Sequence, residues 1–298
     1  MNKHRRFVWT MSSPAMLVLI LLTIFPIIFT IYCSFTDYYF LNKTQSNFIG
    51  LKNFIDLFKD RYFIQASLNT LKFVLLAVFC ELILGIFIAV FVDSLKHIGK
   101  VMRVVILLPA LIPPVTVALI WQMMMSNNNG ILNRMLNTLG INGINWLLSP
   151  EYAFSSVLLI DIWQYTPVVF LIIFAALQAI PDSQFEAAKI DGVNTWQKFI
   201  YITLPNIKEA LYLAVIMRMV DTFRLFDKVN ILTKGGPAGT TSTMTQYIYQ
   251  HGVNGLNLGF SSAASIIMTL SVLIFITIYT LIIKSKNDGE KKSWLKQL

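Results

Sequence analysis

Charged side chains are scarce in this sequence. Asp, Glu, Lys and Arg make up 13% of its 298 residues, about half the share usual in a soluble domain, whereas hydrophobic residues make up 56%. Mean hydropathy is +0.64. A soluble globule of this make-up would lack polar groups to cover its surface, which excludes a soluble enzyme. Disorder is excluded by the same hydrophobicity. Cysteine is nearly absent: Cys33 and Cys80 both lie in apolar runs, so there is no disulfide framework and no clue to compartment. The three histidines, His4, His97 and His251, are too scattered for metal spacing. No G-x-x-x-x-G-K-[ST], G-x-S-x-G or H-E-x-x-H occurs, which argues against a nucleotide, cofactor or metal held by this chain. Such a chain moves something rather than transforming it, and its energy must come from an ion gradient or a partner subunit.

What is present is apolar length. A helix crossing about 30 Å of hydrocarbon needs roughly 20 apolar residues. Six stretches qualify: about Ser12–Cys33, Asn69–Val92, Val104–Met125, Phe154–Ala179, Glu209–Lys228 and Ser261–Ile283. The first follows Lys3, Arg5 and Arg6 but is long and lacks a small-residue cleavage site, so it reads as a retained span. The fold class is therefore an all-α membrane protein of six transmembrane helices.

The net charge of +9 fits a positive-inside bias better than a nucleic-acid surface. With a cytoplasmic N-terminus, fourteen of the 24 basic residues fall in inside segments and seven in the longer outside loops, with Lys72, Arg218 and Arg224 in spans. Lys228 counts among the outside residues. Both termini are expected inside. Pro109, Pro113 and Pro114 should kink the third span, as a packing bend or as part of a pathway lining. Asn127–Gly130, Gly235–Pro237 and Asn254-Gly255 are turn signals. Asn42-Lys43-Thr44 matches a glycosylation acceptor, a pattern frequent by chance. No internal repeat of the kind common in secondary transporters is visible.

The stretch from Gln178 to Pro205, between spans four and five, is unusual for a linker. Pro181 should end the fourth span. Ser183 with Glu186 has capping-box spacing, and Gly192 sits where a left-handed helix cap would fall. Asn194 and Gln197 offer a second start, and Leu204-Pro205 is expected to close the second short helix. Ala187 and Ala188 allow close approach of another surface. Glu186 and Asp191 put acid where the positive-inside bias favours base. Ile190, Trp196, Phe199 and Ile200 are expected to anchor the loop toward the membrane core. The whole looks like a knob offered to a cytoplasmic partner.

Glu186-Ala187-Ala188-Lys189-Ile190-Asp191-Gly192, followed by Ile202-Thr203-Leu204-Pro205, resembles the "EAA" loop of the membrane subunits of binding-protein-dependent ABC importers. Phe48-Ile-Gly-Leu-Lys-Asn-Phe54, Asp161-Ile-Trp-Gln-Tyr-Thr-Pro167 and Arg218–Asp227 leading to Leu232–Pro237 resemble the branch that takes up oligosaccharides, sugar alcohols and glycerol phosphates. The chain departs from the maltose-type member in lacking extra N-terminal helices and a large extracellular insertion. The resemblance implies a type I importer permease fold in a bacterial or archaeal cell membrane. An N-terminal span and first outer loop would occupy 1–68, the transport core 69–283 with its coupling loop at 177–207, and a cytoplasmic tail 284–298. It implies a second permease subunit, an ABC ATPase dimer carrying ATP and Mg, and an extracellular solute-binding protein. Glu186, Ala187, Ala188, Asp191, Gly192, Leu204 and Pro205 would couple the chain to that ATPase.

Charges inside spans are costly, about 2.5–3.5 kcal/mol each on insertion scales, so partners or a wet cavity are expected. Arg218, Asp221 and Arg224 recur at three-residue spacing and can share one helix flank and neutralise each other. They read either as a polar stripe facing the solute path or as an ion-pair lock against a neighbouring helix. Glu81, Asp161, Trp163 and Gln164 are further path candidates, with Trp163 and Tyr165 able to stack on sugar rings. The competing functions are a permease of the same superfamily for another solute, an ion-coupled transporter using Glu81 and Asp161 as proton sites, and a non-transporting scaffold.

Overall fold

In hydrocarbon every backbone amide needs a partner within its own segment, so apolar runs of this length become helices. The computed structural model describes the backbone of residues 3–41, 46–95 and 99–295, and side chains within 7–41, 46–95 and 100–285. The acceptor pattern at Asn42 and the basic residues Lys96 and Lys296 lie outside the described residues. In chain order the helices are α1 (Lys3–Ser34), α2 (Lys52–Lys59), α3 (Arg61–Ser94), α4 (Gly99–Leu111), α5 (Pro114–Met124) and α6 (Ile131–Thr138). Then come α7 (Ala153–Gln178), α8 (Asp182–Ile190), α9 (Thr195–Lys198), α10 (Leu204–Phe223), α11 (Asp227–Leu232), α12 (Met244–Tyr249) and α13 (Leu258–Leu295). Two π-helical turns, Phe199–Thr203 and Gln250–Asn254, follow α9 and α12. Among the described residues β structure is confined to two isolated bridges.

Among the described residues five segments are long and apolar enough to cross a membrane: Phe7–Ser34, Arg61–Ser94, Ala153–Gln178, Thr195–Leu232 and Leu258–Ser285. The third expected span is not one kinked helix. It is α4 and α5, meeting at 92°. Pro113 and Pro114 both lack an amide donor, and Pro113 disfavours helical geometry at Ile112, so the ladder breaks there. Pro114 then opens α5 at the position where a missing N–H costs least. The orphaned Ile112 carbonyl accepts a 2.9 Å hydrogen bond from Gln164 Nε2 on α7.

Two compact units make up the chain. In the unit Gln65–Gln246 with Ile276–Leu298, α7 packs against α4 and α10, and α11 packs against α5. Ala89, Val169, Phe170, Ile173, Ile207 and Ala214 form one core, and Phe73, Ala77, Val117, Ile160 and Val229 belong to another. The α3–α7 approach is tight: a Cβ on Gly85 would lie 2.6 Å from Val169 Cγ1. In the unit Met1–Ile64 with Tyr247–Phe275, bridges join Thr36 to Phe48 and Tyr39 to Asn257. A Cβ on Gly259 would meet the Thr36 carbonyl at 2.3 Å, so a side chain is excluded there. Tyr247 donates its hydroxyl to Asp60. Burial, then the Asp60 carboxylate, raises the Tyr247 pKa far above the phenol range and keeps it a donor.

Candidate functional site

Two places in the larger unit concentrate chemistry. The first is the loop between spans four and five. α8 begins at Asp182 with Pro181 as its N-cap, and the Ser183–Glu186 capping box expected from the sequence does not form. Pro181 already has the extended geometry a cap needs (φ −61°, ψ 134°), so Ser183 falls inside the first turn. The expectation at Gly192 holds: its φ is +70°. Val193 N–H reaches the Ala188 carbonyl at 3.0 Å and Gly192 N–H the Lys189 carbonyl at 3.3 Å, a Schellman ending. The second capping box is also present, with Gln197 N–H on Asn194 Oδ1 at 2.8 Å and Asn194 N–H on Gln197 Oε1 at 3.1 Å.

Leu204-Pro205 does not close the second helix. α9 passes through the π-turn directly into α10, which Leu204 and Pro205 open. The wider turn absorbs the amide that Pro205 lacks, so the short helix and the fifth span form one segment from Thr195. Asn206 Nδ2 donates to Gln184 Oε1 at 2.9 Å, and Lys198 Nζ sits 4.6 Å over the Phe185 ring, holding α8 against this segment. Glu186, Ala187, Asp191, Gly192 and Pro205 are exposed, Ala188 is buried and Leu204 half-buried. A concavity of about 670 Å³ is lined by Gln184, Ala187, Ala188, Asp191, Gly192 and Tyr201 among others. Ile190 and Trp196, expected as anchors, are not packed into the chain: they are 86% and 68% exposed. Phe199 and Ile200 are half-buried.

The second place is a buried charge network. Arg218 on α10 makes a bidentate pair with Glu81 on α3, Nε to Oε2 at 2.7 Å and Nη2 to Oε1 at 3.0 Å. Its Nη2 lies 3.5 Å from Asp161 Oδ2 on α7. Asp161 Oδ1 in turn accepts a close hydrogen bond from Lys228 Nζ on α11. All four side chains are at most 1% exposed. Arg218 Cζ and Lys228 Nζ each lie 4.2 Å from the centroid of the Tyr165 ring. Two carboxylates face two cations, so the group is formally neutral, which is how charges persist at this depth.

The expected Arg218–Asp221–Arg224 flank is therefore corrected. Arg218 is held chiefly by Glu81. Asp221 is a looser partner, 3.6 Å away and 56% exposed. Arg224 is the C-cap of α10 and lies beyond its last turn. Lys228, counted from the sequence as an outside-loop residue, is buried in the network. The apolar residues Val229, Ile231 and Leu232 just after it were the available sign that the segment continues past Lys228. A polar cavity of about 60 Å³ is lined by Asp161, Tyr165, Arg218, Asp221, Arg224 and Lys228. Solute pockets run to roughly 300 Å³ or more, so this cavity alone is too small to enclose a sugar.

Gln164 is committed to the helix break through Ile112. Trp163 packs edge-on to Trp121, with centroids 5.5 Å apart, and both line an apolar groove of about 560 Å³ with Leu84, Pro109, Leu159 and Pro167. That groove offers almost no hydrogen-bonding groups to a polyol. Among the described residues no group of three or more His, Cys, Asp or Glu could hold a metal ion.

Comparison with known proteins places this architecture. A family model described as "Binding-protein-dependent transport system inner membrane component" matches residues 81–287. The chain is 32% identical, over 94% of each chain, to the trehalose/maltose transport system permease protein MalF of Thermococcus litoralis. It is 32% identical to the sulfoquinovosyl glycerol transport system permease protein SmoG of Agrobacterium fabrum, covering 92% of this chain and 89% of that one. It is 31% identical to the sn-glycerol-3-phosphate transport system permease protein UgpA of Salmonella typhimurium, covering 81% and 82%. Its fold matches a chain in the crystal structure of a bacterial ABC transporter that imports the acidic polysaccharide alginate, with a TM-score of 0.84 at 22% identity over 95% and 96% of the two chains.

Proposed function

This chain belongs to the family of inner membrane components of binding-protein-dependent transport systems, and on that premise we propose that its solute is a sugar, oligosaccharide, polyol or glycerol phosphate. The observation carrying this reading is the 32% identity along 94% of the chain to a permease named for trehalose and maltose. The relatives named for sulfoquinovosyl glycerol and glycerol phosphate extend it to polyhydroxylated solutes in general. The path would be shared with a second permease subunit, and an extracellular binding protein would deliver the solute. Both termini would be cytoplasmic, as the distribution of Lys and Arg suggests.

ATP and Mg would be held by a separate ATPase pair, whose groove would receive α8 and the exposed residues Glu186, Ala187, Asp191 and Gly192. Leu204 and Pro205 would begin the segment that carries the displacement. From Thr195 to Arg218 that segment runs roughly 35 Å at 1.5 Å per residue. A push at Gly192 would therefore reach Arg218, where Glu81 and Asp161 hold two other spans. ATP binding can favour one arrangement only through differential contacts, and the ion-pair network is a group able to make and break such contacts. Asp221 and Arg224, at the exposed edge, would meet solute hydroxyls. Glu81 and Asp161 would act by positioning the cations. Trp163 and Gln164 are engaged with Trp121 and Ile112.

The test is reconstitution with the co-purifying partners. Solute-loaded binding protein should stimulate ATP hydrolysis, and uptake should survive an ionophore that collapses ion gradients. Uptake without an ATPase, lost with the gradient, would favour ion-coupled transport instead.

A further inference from the structure

The Phe48–Phe54 motif has no role in the coupling loop or the charge network. Gly50 adopts a left-handed φ of +60° and turns the chain into α2. α2 is tied to the membrane boundary at both ends. Asn53, buried, donates Nδ2 to the carbonyls of Ser34 and Thr36, both at 2.9 Å, and Ser34 is the last residue of the first span. At the other end Asp60 alone separates α2 from Arg61, the first residue of the second span.

α2 has three distinct flanks. Asn53 and Leu57 face the protein. Lys52, Asp56 and Lys59 are exposed and polar. Leu51, Ile55 and Phe58, spaced four and three apart on a third flank, are each more than half exposed, as are Phe48 before them and Tyr62 after them. A soluble helix needs only two flanks, one for the core and one for water. A third, apolar and aromatic, at the level where two spans end, matches a helix lying in the plane of the headgroups.

We infer that α2 is an interfacial anchor, with Leu51, Ile55 and Phe58 inserted among lipid headgroups and upper acyl chains while Lys52, Asp56 and Lys59 face water. The occupant is lipid because α2 is held between the last residue of one span, Ser34, and the first of the next, Arg61, which keeps its apolar flank at the membrane boundary. Anchoring here would fix the depth of the joint between them, so that neither slides along the membrane normal.

The chain would be reconstituted, with its co-purifying partners, in phosphatidylcholine–phosphatidylglycerol nanodiscs. Single cysteines at 51, 55 and 58, and at 52, 56 and 59, would carry a fluorophore in a Cys33→Ala/Cys80→Ala background. A lipid nitroxide high on the acyl chain should quench the first set about twofold more than the second, and an aqueous nickel chelate should show the reverse order. Quenching of the first set by the aqueous chelate overturns the proposal. Protection of the first set from both quenchers also overturns it and assigns the flank to a protein partner. Photoactivatable phospholipids read the same contrast on the unsubstituted chain: adducts on Leu51, Ile55 or Phe58 support the anchor, and their absence beside labelled α1 overturns it.

Discussion

Arg218 shows how a single side chain can hold several spans. Removing Glu81 would leave a guanidinium without its bidentate partner at a site 1% exposed. Losing one member of a buried pair costs about 3–5 kcal/mol, so Glu81→Ala should sharply reduce assembled protein in membranes and lower its thermal midpoint. Replacing both members removes the orphan: Glu81→Leu with Arg218→Met should recover most of the assembly, leaving Asp161 and Lys228 as a neutral pair. If that double variant transports at the wild-type rate, the network is a structural lock and takes no part in the cycle. Gly85 makes a different kind of demand. An alanine there overlaps Val169, which should cost about 1–3 kcal/mol, and Val169→Ala in the same chain should restore stability by opening the space.

At the scale of elements, the loop between spans four and five was legible where its signals are local, although the Ser183–Glu186 box did not form, and the network largely was not. The left-handed turn at Gly192 and the Asn194–Gln197 box depend on residues within one or two turns, so local sequence rules suffice. Leu204-Pro205 misled because a proline usually ends a helix, while here a π-turn accommodates it within a continuing one. The network escaped because Glu81 lies 137 residues and Asp161 57 residues from Arg218, whereas helical spacing reveals only neighbours such as Asp221. Lys228 was missed for a related reason: counting charge by loop assumes where the loop starts. Gly192 yields a clean prediction because nothing lies within 4 Å of its would-be Cβ. Gly192→Ala should cost only about 1 kcal/mol, from the left-handed backbone. Gly192→Val or larger should assemble yet hydrolyse ATP without matching uptake. Normal uptake by an assembled Gly192→Val protein would detach this loop from the motor.

At the scale of the whole molecule, composition was enough for the class, since so little charge leaves a membrane as the only suitable solvent. The number of crossings was less secure, because two adjacent prolines turn one apolar run into a pair of helices at 92°. Sidedness can be tested directly. A cysteine replacing exposed Trp196 in sealed, oriented vesicles should react with a bulky maleimide only from the cytoplasmic face. Reaction from the opposite face would invert the arrangement and remove α8 from reach of any cytoplasmic ATPase.

The contact at Gly85 constrains how such a molecule can move. With valine atoms filling the space where a side chain would begin, the second and fourth spans mesh like teeth with no backlash. They cannot roll past one another, so any rocking must carry both as a single plank. The segment from Thr195 meets that plank both through the apolar core at Ile207 and Ala214 and through the hydrogen-bonded charges at Arg218, and it is the charges that are able to change partners.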